Sequence, residues 1–515
     1  MKTGANRYLR LMRTIGITGV AFVINYLISL FLTPHITDNV GTEAFGFVTL
    51  AKNIAQYATI ATLALNSYAA RHIAVEYHRG DIEKANIYFS STVFGDAVLG
   101  LVVFAAAAVG IVYLDRIFTI PQEIVPDVRL LFLLVFIKFL AVTVFTAAES
   151  GAAIADRLDT AGVFKLISYI TEAAVLLVVY RVFAARVYFV GIGLLAASLV
   201  IIAGNVFICR KYTPELKVSR KSYRFSAVRR LIGDGIWTTV NDLGAMLHSG
   251  LDLVMCNLML TPLCMGQLSI AKDIDLIFHS LYQLVGNAFH PMLLKSYADG
   301  DKDKLLSQLK LSMKLSGCLS NLAFAGFAAL GTAYFTLWIP SQDTDLIYRL
   351  TLITVLTSVA SGPMTPLYYI YTLTVKQKFP CIVTIVTGLM NVLGMYLLIR
   401  FTTLGVWAVV WTTVVLVGFI NYVSNPLYMA HVLNVPKGTF YPGIVRNVLS
   451  CGAMTLLFYG LSRLYMPDSW ITLFLCAGIY ALLGSCIHFT VCLSRQERGQ
   501  LLAKLRKRHG TENAL

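Results

Sequence analysis

Fourteen separate runs of about 20 predominantly apolar residues constrain this chain more than any other feature. A run of that length, wound as an α-helix, matches the hydrocarbon thickness of a bilayer. The runs fall near 14–33, 42–65, 88–113, 128–148, 161–183, 188–208, 231–257, 266–290, 309–337, 347–373, 381–400, 404–428, 445–465 and 471–493. They are unbroken rather than alternating, which favours helices over a barrel. Composition agrees. Of 515 residues, 57% are hydrophobic and only 13% are charged, too few polar groups to cover a soluble fold. The expected fold class is an all-α integral membrane protein with fourteen transmembrane helices.

A net charge of +15 invites a nucleic-acid reading. The positions of the charges argue against it. Most of the 42 lysines and arginines lie at the two ends and in the loops after even-numbered spans. That is the positive-inside pattern, which predicts both termini on the cytoplasmic side, with the charge facing anionic membrane lipid. The first run follows Lys2, Arg7, Arg10 and Arg13, but it is too long for a signal peptide and lacks a small-residue cleavage pattern at Thr33-Pro34-His35. The longest connection, 209–230, is basic: Arg210, Lys211, Lys217, Arg220, Lys221, Arg224, Arg229 and Arg230. No loop is long enough to fold alone, so function must lie among the helices. The tail Ser494–Arg508 mixes Leu501, Leu502 and Leu505 with cations, which suits either a helix on the inner leaflet or a solvated segment.

The chain repeats itself. Gly46-Phe-Val-Thr-Leu-Ala-Lys-Asn-Ile54 matches Gly266-Gln-Leu-Ser-Ile-Ala-Lys-Asp-Ile274 at an offset of 220. At the same offset Tyr77 meets Tyr297, Gly80-Asp81 meets Gly300-Asp301, and Lys84 meets Lys304. Six spans separate equivalents, so the halves are parallel repeats. The predicted organisation is a six-helix lobe over 1–210, a basic cytoplasmic linker over 211–230, a second six-helix lobe over 231–430, helices 13 and 14 over 431–493 and a basic tail over 494–515. Two such lobes around a central cavity are an architecture for alternating access.

A charge at mid-bilayer costs about 2.5–3.5 kcal/mol on insertion scales, so polar residues there should line a hydrated space. Lys52, Gln56, Thr59 and Asn66 share a helical stripe in the second span; Lys272, Asp275, His279, Gln283 and His290 do so in the eighth. Asp234, Thr238, Asn241, His248 and Asp252 mark the seventh, and Thr18, Asn25 and Ser29 the first. Spans three to six read as mostly apolar. Lys52 and Lys272 are repeat equivalents, and two such ammonium groups would attract an anionic cargo, unless each pairs locally with an acid such as Glu43 or Asp275. Lys138 is a third candidate, with Glu149 as an alternative partner. Asp242, Asp252, Asp273, Asp275 and His279 are candidate coupling groups for H+ or Na+, against the simpler reading of static ion pairs. Asp273-Ile274-Asp275 is no metal–nucleotide motif, because residues two apart on a helix point to different faces. Gly362, Pro363 and Pro366 predict a kink in the tenth span, either a hinge or a fixed bend. The nine cysteines are scattered singly, no metal or cofactor motif is present, and no nucleotide-binding loop supplies energy.

Together these features resemble the Wzx-type flippases of the polysaccharide exporter family, within the multidrug/oligosaccharidyl-lipid/polysaccharide superfamily. The resemblance is densest from Val40-Gly41-Thr42-Glu43-Ala44-Phe45-Gly46-Phe47 to Asn66-Ser67-Tyr68-Ala69-Ala70-Arg71-His72-Ile73-Ala74, and from Gly250-Leu251-Asp252-Leu253-Val254 through Gly266 to Ala271-Lys272, ending at Pro291 and Ser296-Tyr297-Ala298. It implies a bacterial inner-membrane flippase that moves an undecaprenyl-diphosphate-linked oligosaccharide for O-antigen, capsule or other surface polysaccharide. Arg71 joins Lys52, Lys272, Gln56, Asn25 and Lys138 as an implied cavity residue. Association with a polysaccharide polymerase and a chain-length regulator is implied as well. The alternatives are a peptidoglycan lipid-precursor flippase, a multidrug cation antiporter, whose cavity should be acidic, and a membrane-embedded glycan polymerase, which should carry a large outer loop.

Overall fold

The computed structural model describes residues 20, 24, 26–374 and 376–493. Asn25, Thr18, the basic N-terminal segment and the basic tail lie outside the described residues. Residues 26–39 are helical. They are followed by α1 (Thr42–Ala58), α2 (Ile60–Asn66), α3 (Ala69–His78), α4 (Ile82–Val112), α5 (Val125–Phe145), α6 (Leu158–Val182), α7 (Tyr188–Tyr212), α8 (Phe225–Ser249) and α9 (Asp252–Met259). Then come α10 (Pro262–Ala298), α11 (Lys302–Trp338), α12 (Thr344–Val355), α13 (Thr357–Met364), α14 (Lys378–Phe401), α15 (Val406–Phe419), α16 (Asn425–Val432), α17 (Tyr441–Leu464) and α18 (Trp470–Cys492). Among the described residues the regular structure is entirely helical.

Ten of the described helices are long and apolar enough to cross a membrane. Their outer faces carry bare apolar side chains such as Leu177, Leu456 and Leu482, each at least 70% exposed, as lipid contact requires. The expected second, seventh and eighth spans are not among the ten. Their polar stripes lower the hydropathy, and the second is broken at Thr59 and again at Ser67-Tyr68.

The chain forms two compact units, Met1–Ser269 and Ile270–Leu515, and the division falls inside α10. In the first unit α5, α6 and α7 pack together, and α8 packs along α2 and α4. The seventh expected span therefore belongs to the first compact unit. In the second unit α11 is the central helix, flanked by α13, α17 and α18.

The repeat is visible in local geometry. Gly80 has φ +81° and Gly300 has φ +71°, a region that favours glycine. The next residue caps the following helix in each case: the Asp81 carboxylate accepts from the Lys84 backbone N–H at 3.0 Å, and Asp301 from Lys304 at 2.9 Å. Two further repeat equivalents meet inside the first unit. A Cβ on Gly46 would lie 2.9 Å from the Gly266 Cα, and one on Gly266 would sit on the Thr42 carbonyl. Only glycine permits this backbone approach.

The basic connection after α7 is held in place. Asn86 donates to the Glu215 carbonyl at 2.9 Å and accepts from the Lys217 N–H at 2.7 Å. Ser90 accepts from the Ser219 N–H at 3.0 Å, and Ser91 from the Arg224 N–H at 3.0 Å. The start of α4 thus supplies the partners that a loop of this length would otherwise take from water.

Candidate functional site

In the first unit, α1 presents Lys52, Gln56 and Thr59 on one exposed face. Asn66, expected on the same stripe, turns away. The break at Thr59 shifts the helical phase, and the Asn66 amide donates instead to Asp96 on α4 at 2.9 Å.

Lys52 does not stand alone. Lys138 on α5 and Glu172 on α6 interact electrostatically with it and with each other. Glu172 is buried and Lys138 half-buried. Two ammonium groups and one carboxylate leave one positive charge in excess. The charge partner of Glu149 is Lys165. Periodicity does not single out Glu172 or Asp96, because each is the one acid within the apolar stretch of its helix, 161–183 and 88–113.

Arg71 lies exposed on α3 beside His72. The His72 Nε2 is 2.9 Å from an Asp234 carboxylate oxygen of α8, and its ring stacks on Tyr88 at 5.0 Å between centroids. Farther along α8, Asp242 is exposed, with the Asn241 amide 3.5 Å from its carboxylate. Asp252 opens α9 and is buried next to Tyr57, whose hydroxyl donates to the Gly250 carbonyl. The α8–α9 break at Gly250 thus separates Asp252 from the stripe begun by Asp234.

In the second unit, Lys272, Asp273 and Asp275 are half-buried on α10, and His279 is exposed. The Thr357 hydroxyl donates to Asp275 at 3.5 Å. His279 meets the Tyr282 ring edge-on at 5.1 Å, and His290 meets Tyr369 at 4.4 Å.

The tenth span changes its winding around the prolines. It runs from α12 through α13 into a 3-10 turn, Thr365–Tyr368. Gly362 and Pro363 are buried, the Ser316 hydroxyl donates to the Gly362 carbonyl at 2.6 Å, and Ser320 of the same helix fills the space a Cβ would need. Around this turn lies a polar network that periodicity does not mark. Tyr368 donates to Asn421, Tyr371 to Asn425 at 2.8 Å, and the Asn421 amide to Ser361 at 3.2 Å. Asn421 sits in a π-helical turn, Ile420–Ser424, directly before Asn425-Pro426. Its sequence signal was available: tyrosines at 368, 369 and 371 opposite asparagines four apart.

Among the described residues no group of three or more histidine, cysteine, aspartate or glutamate side chains comes together to hold a metal ion. The nine cysteines are all unbridged.

A family model described as polysaccharide biosynthesis protein matches residues 11–296. The "Uncharacterized membrane protein EpsK" of Bacillus subtilis (strain 168) is 28% identical over 496 residues, which cover 96% of this chain and 97% of that protein. Among solved structures, the lipid II flippase MurJ in an inward closed conformation has a TM-score of 0.66 at 13% identity, covering 92% of this chain and 99% of that one. An inward-facing multidrug resistance MATE family transporter of the MOP superfamily has a TM-score of 0.62 at 14% identity, covering 81% and 98%. At these identities the two structures share a fold with this chain.

Proposed function

We propose a function from the premise that this chain belongs to the polysaccharide biosynthesis protein family: it is a membrane flippase, not an enzyme, and its cargo is a lipid-linked oligosaccharide. Membership agrees with the resemblance read from the sequence. The finer reading is that the lipid is undecaprenyl diphosphate, that fourteen helices span a bacterial cytoplasmic membrane with both termini inside, and that the translocated unit feeds surface polysaccharide assembly, beside a polymerase and a chain-length regulator.

The observation that carries this reading is the Lys52–Lys138–Glu172 cluster. A diphosphate is a compact, strongly charged anion that needs fixed cations within the membrane. One buried carboxylate against two ammonium groups leaves a site that is net positive, with Lys52 and Gln56 on its exposed side. A cargo that is cationic would be repelled there. Lys272 stands at the repeat-equivalent position of the second unit. Transport consists of exposing the lysine-bearing stripe first to one side of the membrane and then to the other, while the lipid tail stays in the bilayer. A proton or sodium gradient supplies the energy.

The test is the double variant Lys52→Ala/Lys272→Ala. Loss of a charge-assisted contact of about 1.5–3 kcal/mol corresponds to roughly a tenfold to hundredfold loss in transport. Surface glycan should disappear and lipid-linked units accumulate, with the protein still in the membrane. Full surface glycan in the double variant would remove the lysines from the site.

A further inference from the structure

Asp96 lies within α4, with no exposure, in the apolar part of a helix long and apolar enough to cross a membrane. Its only hydrogen bond among the described residues is from the Asn66 amide, Nδ2 to Oδ1 at 2.9 Å. Its second oxygen, Oδ2, is buried and accepts nothing. The Asn66 carbonyl Oδ1 is likewise buried and accepts nothing. Two orphaned acceptors on the same pair of side chains are costly, since each loses water without replacement.

No charge is available to compensate a carboxylate here. The helices packed on this stretch of α4 present Leu65 of α2, Val228 of α8, and Leu140 and Thr143 of α5. The titratable groups they carry are engaged elsewhere. Tyr88, two turns away or about 12 Å along α4, stacks on His72, which is bonded to Asp234 of α8. Lys138 of α5 interacts with Lys52 and Glu172, Glu149 with Lys165, and Arg229 and Arg230 of α8 are exposed. None of these acts on Asp96.

We propose that Asp96 and Asn66 form a proton-binding site. One proton taken from water onto Asp96 Oδ2 makes a new donor, which the Asn66 carbonyl accepts. With the existing amide bond this closes a ring of two antiparallel hydrogen bonds between a carboxylic acid and a primary amide. A single proton thus removes a buried negative charge and satisfies both orphaned oxygens. A metal cation fits poorly, because the pair offers three side-chain oxygens and the atoms packed at Gly95 and Gly100 beside it are apolar.

The site reports on conformation. Asn66 is the last residue of α2, a seven-residue helix flanked by breaks at Thr59 and Ser67. Movement of α2 away from α4 would open the ring, hydrate Asp96 and return the proton to water, so proton binding is linked to the packing of these two helices. That this linkage drives transport rests on the flippase reading; the site itself does not.

Infrared difference spectroscopy on the purified full chain in lipid vesicles tests the site. At neutral pH the wild type should show a protonated-carboxyl carbonyl band that is lost in Asp96→Asn and shifted in Asn66→Leu. Asp96→Asn keeps the ring as an amide pair, so it should fold and melt like the wild type. Absence of any band dependent on Asp96 overturns the proposal. So does a melting shift with sodium in the wild type that Asp96→Asn abolishes, which would make the ligand a metal cation. Glycan-lipid flipping measured in the same vesicles separates the two readings: if the wild type moves no cargo, the flippase reading fails while the infrared band still decides the proton site.

Discussion

At the scale of single residues, the candidate site is built from side chains whose partners lie on other helices. Lys52 interacts electrostatically with Lys138 and Glu172 on two other helices, and the Asn66 amide donates to Asp96. A sequence shows stripes, because periodicity is local, so Lys52 and Gln56 were legible. It does not show which acid on a distant helix faces these stripes, so Glu172 and Asp96 were not. Outside the membrane the same logic can be followed by titration. The Tyr77 hydroxyl donates to Glu215 at 2.7 Å and ties α3 to the basic connection. This bond holds the Glu215 carboxyl below its ordinary 4.5 and pushes the Tyr77 hydroxyl up to about 12. For the glutamate, the lowered value means stability that is present above pH 4.5 and lost as pH falls through the folded value. For the tyrosine, the raised value means stability that is present below pH 10.0 and lost as pH rises through about 12. Tyr77→Phe should therefore melt below the wild type between those limits, and the two curves should converge in acid. A gap that persisted in strong acid would show that the bond is not its source.

At the scale of helices, function and packing place opposite demands on glycine and proline. Gly46 and Gly266 let α1 and α10 approach backbone to backbone within the first unit. Gly266→Ala would put a methyl group on the Thr42 carbonyl, which cannot rotate aside. Overpacking of this kind costs about 2 kcal/mol. Thermal melting should fall accordingly, whereas Gly452→Ala on α17, with open space around it, should be neutral. Equal melting of the two variants would mean that the contact yields freely. The tenth span shows how a kink signal read from sequence becomes specific. Pro363 and Pro366 announced a bend, but its surroundings depend on Ser316, Ser320 and Asn421, which arrive from helices far along the chain. The repeat was legible in more detail than a topology, since Gly80-Asp81 and Gly300-Asp301 reproduce one turn-and-cap geometry in each unit.

At the scale of the whole molecule, hydropathy identified a multi-pass membrane protein. It overstated how uniform the spans are: ten described helices meet the apolar criterion, while those richest in polar stripes do not. The polar helices carry Lys52, Asp242 and Lys272, while Lys138, Glu172 and Asp96 lie on helices that do meet the criterion, so a weak hydropathy signal marks only part of the candidate surface. The basic connection following α7 has its own consequence. Lys217, Arg220, Lys221 and Arg224 are exposed and would each be a tryptic site in a slack chain. A protease, however, needs several consecutive residues freed from their bonds before it can draw the backbone into its cleft. Asn86, Ser90 and Ser91 deny it that freedom. Trypsin should cut this stretch slowly in the native protein, and quickly once those three side chains are replaced by alanine. Rapid cutting of both proteins would show that the clamp does not hold. A clamped connection also has no slack to take up, so any displacement of α8 must be passed to the start of α4 rather than absorbed on the way.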